Sequence, residues 1–380
     1  MRILSVTGPL HREFGGPPLA ATGAAAALAT IGNQVQVIVC GQSLADSQIN
    51  STFFNQLVCS GAQVQVFHRN KESKYGAFLR INELKSMWKS VGESDFVILH
   101  QVFELQHLAI FPILKLRNKP YAVMPHGTLT TYQRKQHIFR KFLFSPLTNL
   151  FLRSSKGIFV ATDQERAQLP KHLRIRGFVV GLGIEKIAQR STQSNDSNST
   201  FNLLYMGRIT KKKRLDIALR AFSLAQQESN LQMKFIICGS GSEFEFDEIK
   251  KLVKVLKIES QVEFRGWVDT TEKHRALLES DCFILTSEDE NFAIAAAEAL
   301  SNGVPCVLSS NVALSILVLD YSAGEVFTKL DPNEIAHSIL RVSKMDKQTL
   351  KDNSLQAAAM ITWDRIAEKW NKQIHSLVRI

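Results

Sequence analysis

Leu285-Thr-Ser-Glu-Asp-Glu290-Asn-Phe-Ala-Ile-Ala-Ala-Ala-Glu298-Ala-Leu300 follows the apolar run Cys282–Leu285 and passes through a polar loop into small apolar residues of helical length. It reads as strand, loop and helix, the unit from which parallel sheets are built. Working outward, the same punctuation recurs. Strands are expected at Ile3–Thr7, Val35–Cys40, Val64–His68, Asp95–Leu99, Tyr121–Met124 and Gly157–Ala161, then at Leu203–Met206, Lys234–Cys238, Gln261–Phe264, Cys282–Leu285 and Cys306–Leu308. Several are nearly continuous Val, Ile and Phe, as strands buried on both faces require. Helical patterns lie between them, including Pro18–Ile31, Tyr75–Ser90, Gln133–Ser155, Leu215–Gln227, Glu245–Lys254, Thr271–Glu279, Phe292–Ser301, Asn333–Val342 and Trp363–Val378. Gln189–Thr200 (QRSTQSNDSNST) has no aliphatic residue and cannot help build a core. The expected organisation is α/β: a Rossmann-like doubly wound domain over 1–188, a linker over 189–200, and a second such domain over 201–362 facing the first across a cleft, with the helix over 363–380 returning to the first.

The 380 residues, 45% hydrophobic and 21% charged, suffice for two cores. Five widely spaced cysteines form neither a metal nor a disulfide framework, and no apolar run is long enough to span a bilayer, so a cytoplasmic protein is expected. The net charge of +11 is uneven: residues 1–190 hold 23 Lys and Arg against 10 Asp and Glu, the rest 23 against 25. A basic first half suits an anionic partner. No aromatic-interleaved nucleic-acid motif is present, and phosphate-loop, zincin and serine-hydrolase signatures are missing from the sequence.

Four stretches carry candidate chemistry. If 290–298 is helical, Glu290 and Glu298 stand about 12 Å apart along the axis on adjoining faces, roughly the length of a nucleoside diphosphate sugar. Ser287-x-x-Glu290 also reads as a capping box, and Glu298, amid apolar neighbours, needs a strong partner that a lysine or the backbone can equally supply. Leu203-Leu-Tyr-Met-Gly-Arg208-Ile-Thr-Lys-Lys-Lys213-Arg places Arg208 at a strand's carboxyl end and Lys213 at the next helix, a pair suited to neutralise a diphosphate; Lys211 and Lys212 read as a solvated turn. Gly15-Gly16 precedes a small-residue helix, where backbone N–H groups can approach phosphate, though Gly-Gly-Pro is also common loop punctuation. His126-Gly127 ends another strand, where a lone histidine is as readily structural as catalytic.

Together with Gly239-Ser-Gly241, Val262-x-Phe-x-Gly266 and Gly303-Val-Pro305, these motifs resemble the retaining glycosyltransferases of family 4, also called group 1, which have the GT-B fold. The resemblance implies a nucleotide-sugar donor (a UDP-, GDP- or ADP-sugar), a glycan or lipid-linked acceptor, transfer with retention and no metal or other cofactor. It assigns His126, Arg208, Lys213 and Glu290 to catalysis and Gly15, Gly16, Gly127, Gly239, Trp267, Val268, Asn291, Phe292, Ala293 and Glu298 to the donor. The sequence departs from the family at Ala293, where glycine is usual, and at Gly181-Leu-Gly183, where Pro-Asn-Gly is usual. Alternatives are a nucleotide-sugar-binding relative without turnover and an epimerase or hydrolase of the same donor. Finally, Arg134, Lys135, Arg140 and Lys141 flank a phenylalanine-rich segment that reads as an interfacial helix broken at Pro146, with an anionic membrane surface as its possible partner, or as a helix packed beneath the first sheet.

Overall fold

A computed structural model describes residues 1–11, 15–42, 51–68, 80–104, 106–135, 138–185 and 200–379. The chain divides into two compact units, Met1–Glu185 with Thr362–Ile380, and Lys186–Ile361. The segment read as a linker falls outside the described residues up to 199, and Thr200 already belongs to a strand.

The first unit holds a seven-stranded sheet: β1 Arg2–Thr7, β2 Gln34–Gln42, β3 Gln63–His68, β4 Phe96–His100, β5 Tyr121–Met124, β6 Gly157–Val160 and β7 Gly177–Val179, in the order β3-β2-β1-β4-β5-β6-β7. Every described pairing is parallel. The second holds β8 Thr200–Met206, β9 Gln232–Cys238, β10 Val262–Gly266, β11 Cys282–Leu285, β12 Cys306–Ser309 and β13 Gly324–Phe327, in the order β10-β9-β8-β11-β12-β13, again parallel. Both sheets are doubly wound, and each reverses its order beside its first strand, between β1 and β4 and between β8 and β11. Ligands of open parallel sheets bind outside the carboxyl ends of the strands at such a point. The short strands β7 and β13 escape the sequence pattern because Gly177-Phe-Val and Gly324-Glu-Val-Phe are too brief to show a period.

The expected helix at 75–90 is Ile81–Glu93, its predicted first residues lying outside those described. The segment 133–155 gives two helices, Thr131–Lys135 and Ile138–Ser154, and Pro146 lies inside the second. The expected break there is corrected: proline deletes one backbone donor, and neighbouring turns carry the helix through. Its apolar residues are spread around the axis rather than gathered on one face. Phe151 and Leu152 enter the first core with Val97, Leu99, Ile110 and Val123, while Leu147 and Leu150 are exposed.

The helix Gly16–Thr30 is buried over nearly its whole length, and its alanines and glycine let neighbours approach closely. The C-terminal helix Trp363–Val378 packs on it within the first unit. Trp363 occupies a slot that exists only because two residues lack side chains: a Cβ on Gly23 would stand 2.3 Å from its ring, and one on Gly183 2.4 Å. Trp370, fully buried, donates its indole N–H to the Gly181 carbonyl oxygen at 3.1 Å. At the departing position Gly181 takes φ 83°, and a Cβ there would stand 2.8 Å from Ile366 of the same helix. Gly23→Ala should lower the free energy of unfolding by about 1–3 kcal/mol, the usual cost of overpacking, read as a lower urea midpoint; an unchanged midpoint would contradict the slot.

Candidate active site

In the second unit the reversal point gathers most of the predicted residues. The segment after β8 runs along the loop after β11, and the two are tied by backbone and side chain. Glu288 N–H donates to the Lys212 carbonyl at 3.0 Å, and the Thr286 hydroxyl lies 3.0 and 2.8 Å from the carbonyl oxygens of Lys213 and Arg214. Three ion pairs join the two segments: Lys212 with Asp289 at 3.3 Å, Lys213 with Glu290, and Arg214 with Glu288 at 2.8 Å. Lys212 is thus a paired, largely covered cation, not the solvated turn its neighbours suggested.

Glu290 is not helical. The helix begins at Ile294, and Glu290 forms an isolated parallel bridge with Val312, its N–H donating to the Asn311 carbonyl at 3.2 Å. The helical spacing of Glu290 and Glu298 and the capping box at Ser287 are both corrected, because β-bridge pairing with the loop after β12 holds residue 290 extended. Asn291, Phe292 and Ala293 link that bridge to the helix, and Phe292 is buried. Ala293 caps the helix in the left-handed region at φ 65°, a conformation that costs a residue with a Cβ about 1–2 kcal/mol. The usual glycine there has a backbone reason, and alanine retains the turn.

Glu298 lies within the helix, partly covered, and is ion-paired with Lys273. Lys273 belongs to the helix Thr270–Leu278, launched by the Asp269 and Glu272 capping box immediately after Trp267-Val268. Trp267 is 55% exposed, an indole face offered to solvent at the end of β10. Gly239 serves the frame: a Cβ there would stand 1.8 Å from the Gly207 carbonyl oxygen, so the loops after β8 and β9 approach only as glycines.

Arg208 completes the set. The buried Tyr205 hydroxyl donates to its carbonyl oxygen at 2.9 Å. Its guanidinium is exposed and makes no hydrogen bond or ion pair with any described residue. The carboxyl end of β8 thus presents a forked cation with no side-chain partner among the described residues, while Glu290 and Glu298 are each paired with a lysine.

Gly15, Gly16, His126 and Gly127 belong to the first unit. Gly15 takes φ 74° to turn the chain into the helix, and no atom lies within 4 Å of where its Cβ would be. Pro17 and Pro18 remove two of the four N–H groups that a helix start leaves free, so Gly15 and Gly16 are the backbone donors that remain. Gly127 is corrected as a donor-binding group through its N–H, which donates to the buried Glu165 carboxylate at 2.7 Å; the other Glu165 oxygen accepts from Ala161 N–H. His126, at φ 51°, lies with Nε2 2.9 Å from Nδ1 of His100, whose Nε2 is 3.1 Å from the Ser5 hydroxyl. This polar chain crosses the reversal point of the first sheet, from β1 through β4 to the end of β5. Burial pushes His126 down to about 3 and lowers His100 well below its ordinary value, so both rings are neutral near pH 7.

Sequence reasoning missed Ser5, His100, Glu165, Tyr205 and Lys273. His100 was readable as the single polar residue closing an apolar strand, and Glu165 as the last residue of the capping signature Thr162-x-x-Glu165; nothing local marks Lys273. Of the basic segment, Arg134 is exposed, with its guanidinium 3.4 Å from the Thr131 hydroxyl and 3.3 Å from the Gln168 carbonyl, while the side chains of Lys135, Arg140 and Lys141 lie outside those described. Among the described residues, no helix is long and apolar enough to cross a membrane, and no cluster of three metal-ligating side chains occurs.

Two doubly wound units with the site at the reversal points define the GT-B fold of glycosyltransferases. Residues 187–358 match the family described as glycosyl transferases group 1. Over 191 residues, 49% of this chain, it is 27% identical to poly(glycerol-phosphate) alpha-glucosyltransferase of Bacillus subtilis; the match takes in only 27% of that relative's length. It is 23% identical over 291 residues to GDP-mannose:cellobiosyl-diphosphopolyprenol alpha-mannosyltransferase of Komagataeibacter xylinus, covering 74% of this chain and 71% of the relative. The fold matches Anabaena HepE, solved with UDP, with a TM-score of 0.73 at 16% identity, over 99% of this chain and all of that one. These likenesses support a glycosyltransferase of group 1.

Because His100 and His126 stay neutral, the unfolded chain binds more protons than the folded one between their lowered values and about 6.5. Stability is therefore full above that value and should fall as pH drops below it, by up to about 1.4 kcal/mol per ring for each pH unit. Thermal unfolding at pH 7.0 and 5.5 checks this; a midpoint that holds or rises on acidification would contradict neutral rings.

Proposed function

We propose that the chain is a retaining hexosyltransferase that moves a sugar from a nucleoside diphosphate sugar to a glycan or lipid-linked acceptor, in the synthesis of a cell-surface polysaccharide or glycolipid. The observation that carries this reading is the Arg208 guanidinium, exposed at the carboxyl end of β8 with no partner among the described residues, in the same loop segment as Lys213 and its pair Glu290. The relatives support it through their names, which describe α-glucosyl and α-mannosyl transfer, the second to a diphosphopolyprenol.

In this reading the bond from the anomeric carbon to the diphosphate breaks, and the acceptor oxygen bonds to that carbon on the same face. The acceptor proton passes to the departing phosphate oxygen. Arg208 binds the diphosphate through its fork, and Lys213, with three donors, serves it while keeping Glu290. Both stabilise charge that grows as the leaving group departs. Glu290 holds sugar hydroxyls, Glu298 the ribose, and Trp267 lies by the base. Lys273 orients Glu298 and leaves it acceptor capacity for two hydroxyls. Neutral His126 addresses the sugar as a hydrogen-bonding group. Catalysis is metal-independent, with Glu288, Asp289 and Glu290 each engaged by a cation of the 212–214 segment. The enzyme works on the cytoplasmic side, where the basic first unit suits the diphosphate of a lipid-linked acceptor.

UDP-, GDP- and ADP-sugars should be tested for turnover with and without EDTA, the anomer of the product being read by NMR; an α product insensitive to EDTA is expected. Glu298→Gln should weaken the nucleoside diphosphate and the sugar nucleotide alike, by about tenfold or more for a lost charged hydrogen bond. Glu290→Gln should spare the nucleoside diphosphate and slow turnover at least tenfold. Equal losses of nucleotide affinity in both variants would contradict the division of roles.

A further inference from the structure

The mechanism makes no use of His107, a buried polar residue of the first unit. His107, in the first turn of the helix Gln106–Leu116, is 5% exposed and stacks on Phe151 with ring centroids 5.2 Å apart. Its Nδ1 lies 3.2 Å from the Val102 carbonyl oxygen, which can only accept, so Nδ1 carries the proton. Burial pushes the ring down to about 4 and keeps it neutral. Nε2 is then a lone-pair acceptor, and it is buried with no hydrogen-bond partner. An acceptor left in that state is destabilising, because it has lost its hydrogen bonds to water without replacement.

His107 lines a cavity of about 60 Å³, walled by Val102, Phe111 and Phe151, with Phe103, Leu108 and Leu147 at the exposed rim and Glu104 and Thr148 as the other polar lining residues. The volume is several times the ~10–15 Å³ that admits one water, and most of the lining residues are hydrocarbon. The cavity opens just after β4, whose last residue, His100, bonds His126. It therefore lies at the same carboxyl edge of the same sheet as the histidine chain.

We infer that this cavity takes the apolar portion of an amphiphilic acceptor, one of whose hydroxyls donates to Nε2 of His107. The unpartnered acceptor selects a hydroxyl, and the phenylalanine and leucine walls select hydrocarbon beside it. A free hydrophilic sugar satisfies only the first condition. The assignment of the ligand as acceptor rests on the transferase reading; the chemistry of the cavity does not.

The probe is n-hexyl β-D-glucopyranoside, with methyl β-D-glucopyranoside as the control that lacks the chain, titrated calorimetrically on the full chain. Leu147→Trp obstructs the mouth from an exposed position. His107→Asn keeps a donor for the Val102 carbonyl and removes Nε2. The hexyl glucoside should bind wild type at least tenfold more tightly than the methyl glucoside, and each substitution should weaken it about tenfold or more. UDP affinity, measured on the same samples, should be the same in all three proteins, which shows that the variants are folded. No binding of the hexyl glucoside to wild type, or binding that neither substitution changes, overturns the proposal. If UDP, GDP and ADP all fail to bind wild type while the hexyl glucoside behaves as expected, the donor reading falls and the cavity assignment stands.

Discussion

The pairing between residues 212–214 and 288–290 is the constraint on which the second unit's chemistry depends. Three cations and three carboxylates meet across the point where the sheet reverses its strand order, pinned by the Glu288 to Lys212 backbone bond and by the Thr286 hydroxyl. Exposed ion pairs contribute little individually, but a network held together by backbone bonds fixes side-chain directions that isolated pairs do not. Its result is selective: the acids are neutralised and the lysines committed, while Arg208, four residues before Lys212, has no side-chain partner among the described residues. A site built this way adds a positive anchor for phosphate without burying an uncompensated charge.

The first unit solves a different problem with neutral groups. Ser5, His100 and His126 form a hydrogen-bonded line from β1 to the end of β5, and the buried Glu165 carboxylate binds the Gly127 and Ala161 N–H groups just past the ends of β5 and β6. The turn at His126 takes positive φ at two successive residues, and such strain persists only where surrounding contacts over-determine it. Glu165 and His100 supply those contacts. In the same unit Trp363 packs against Gly23 and Gly183, and Trp370 stacks edge-on against Phe159 and bonds the Gly181 carbonyl, so the last helix is a structural element of the unit that the chain begins.

Much of this was legible in the sequence because parallel strands buried on both faces leave nearly continuous apolar runs, and polar residues at their carboxyl ends stand out against them. Arg208 and Lys213 were visible for that reason, and so was His126. The helical placement of Glu290 failed because the alanine-rich run after it imposes a period that the chain adopts only from Ile294; the bridge to Val312 is a contact between distant segments with no local sign. Lys273 as partner of Glu298, Glu165 as anchor of Gly127 and the acceptor nitrogen of His107 share that character. Each is a pairing or an unmet bond created by tertiary packing, which spacing along one segment does not encode.

The central claim is that Arg208 is the phosphate anchor of a nucleotide site in the second unit. It is tested most directly by titrating wild type and Arg208→Ala with whichever of UDP, GDP and ADP binds tightest, and with the matching nucleoside, at fixed ionic strength. A forked guanidinium acting on the diphosphate predicts a loss of about tenfold or more for the nucleotide, with affinity for the nucleoside unchanged. Nucleotide affinity untouched by the substitution, or an equal loss for nucleotide and nucleoside, would contradict it.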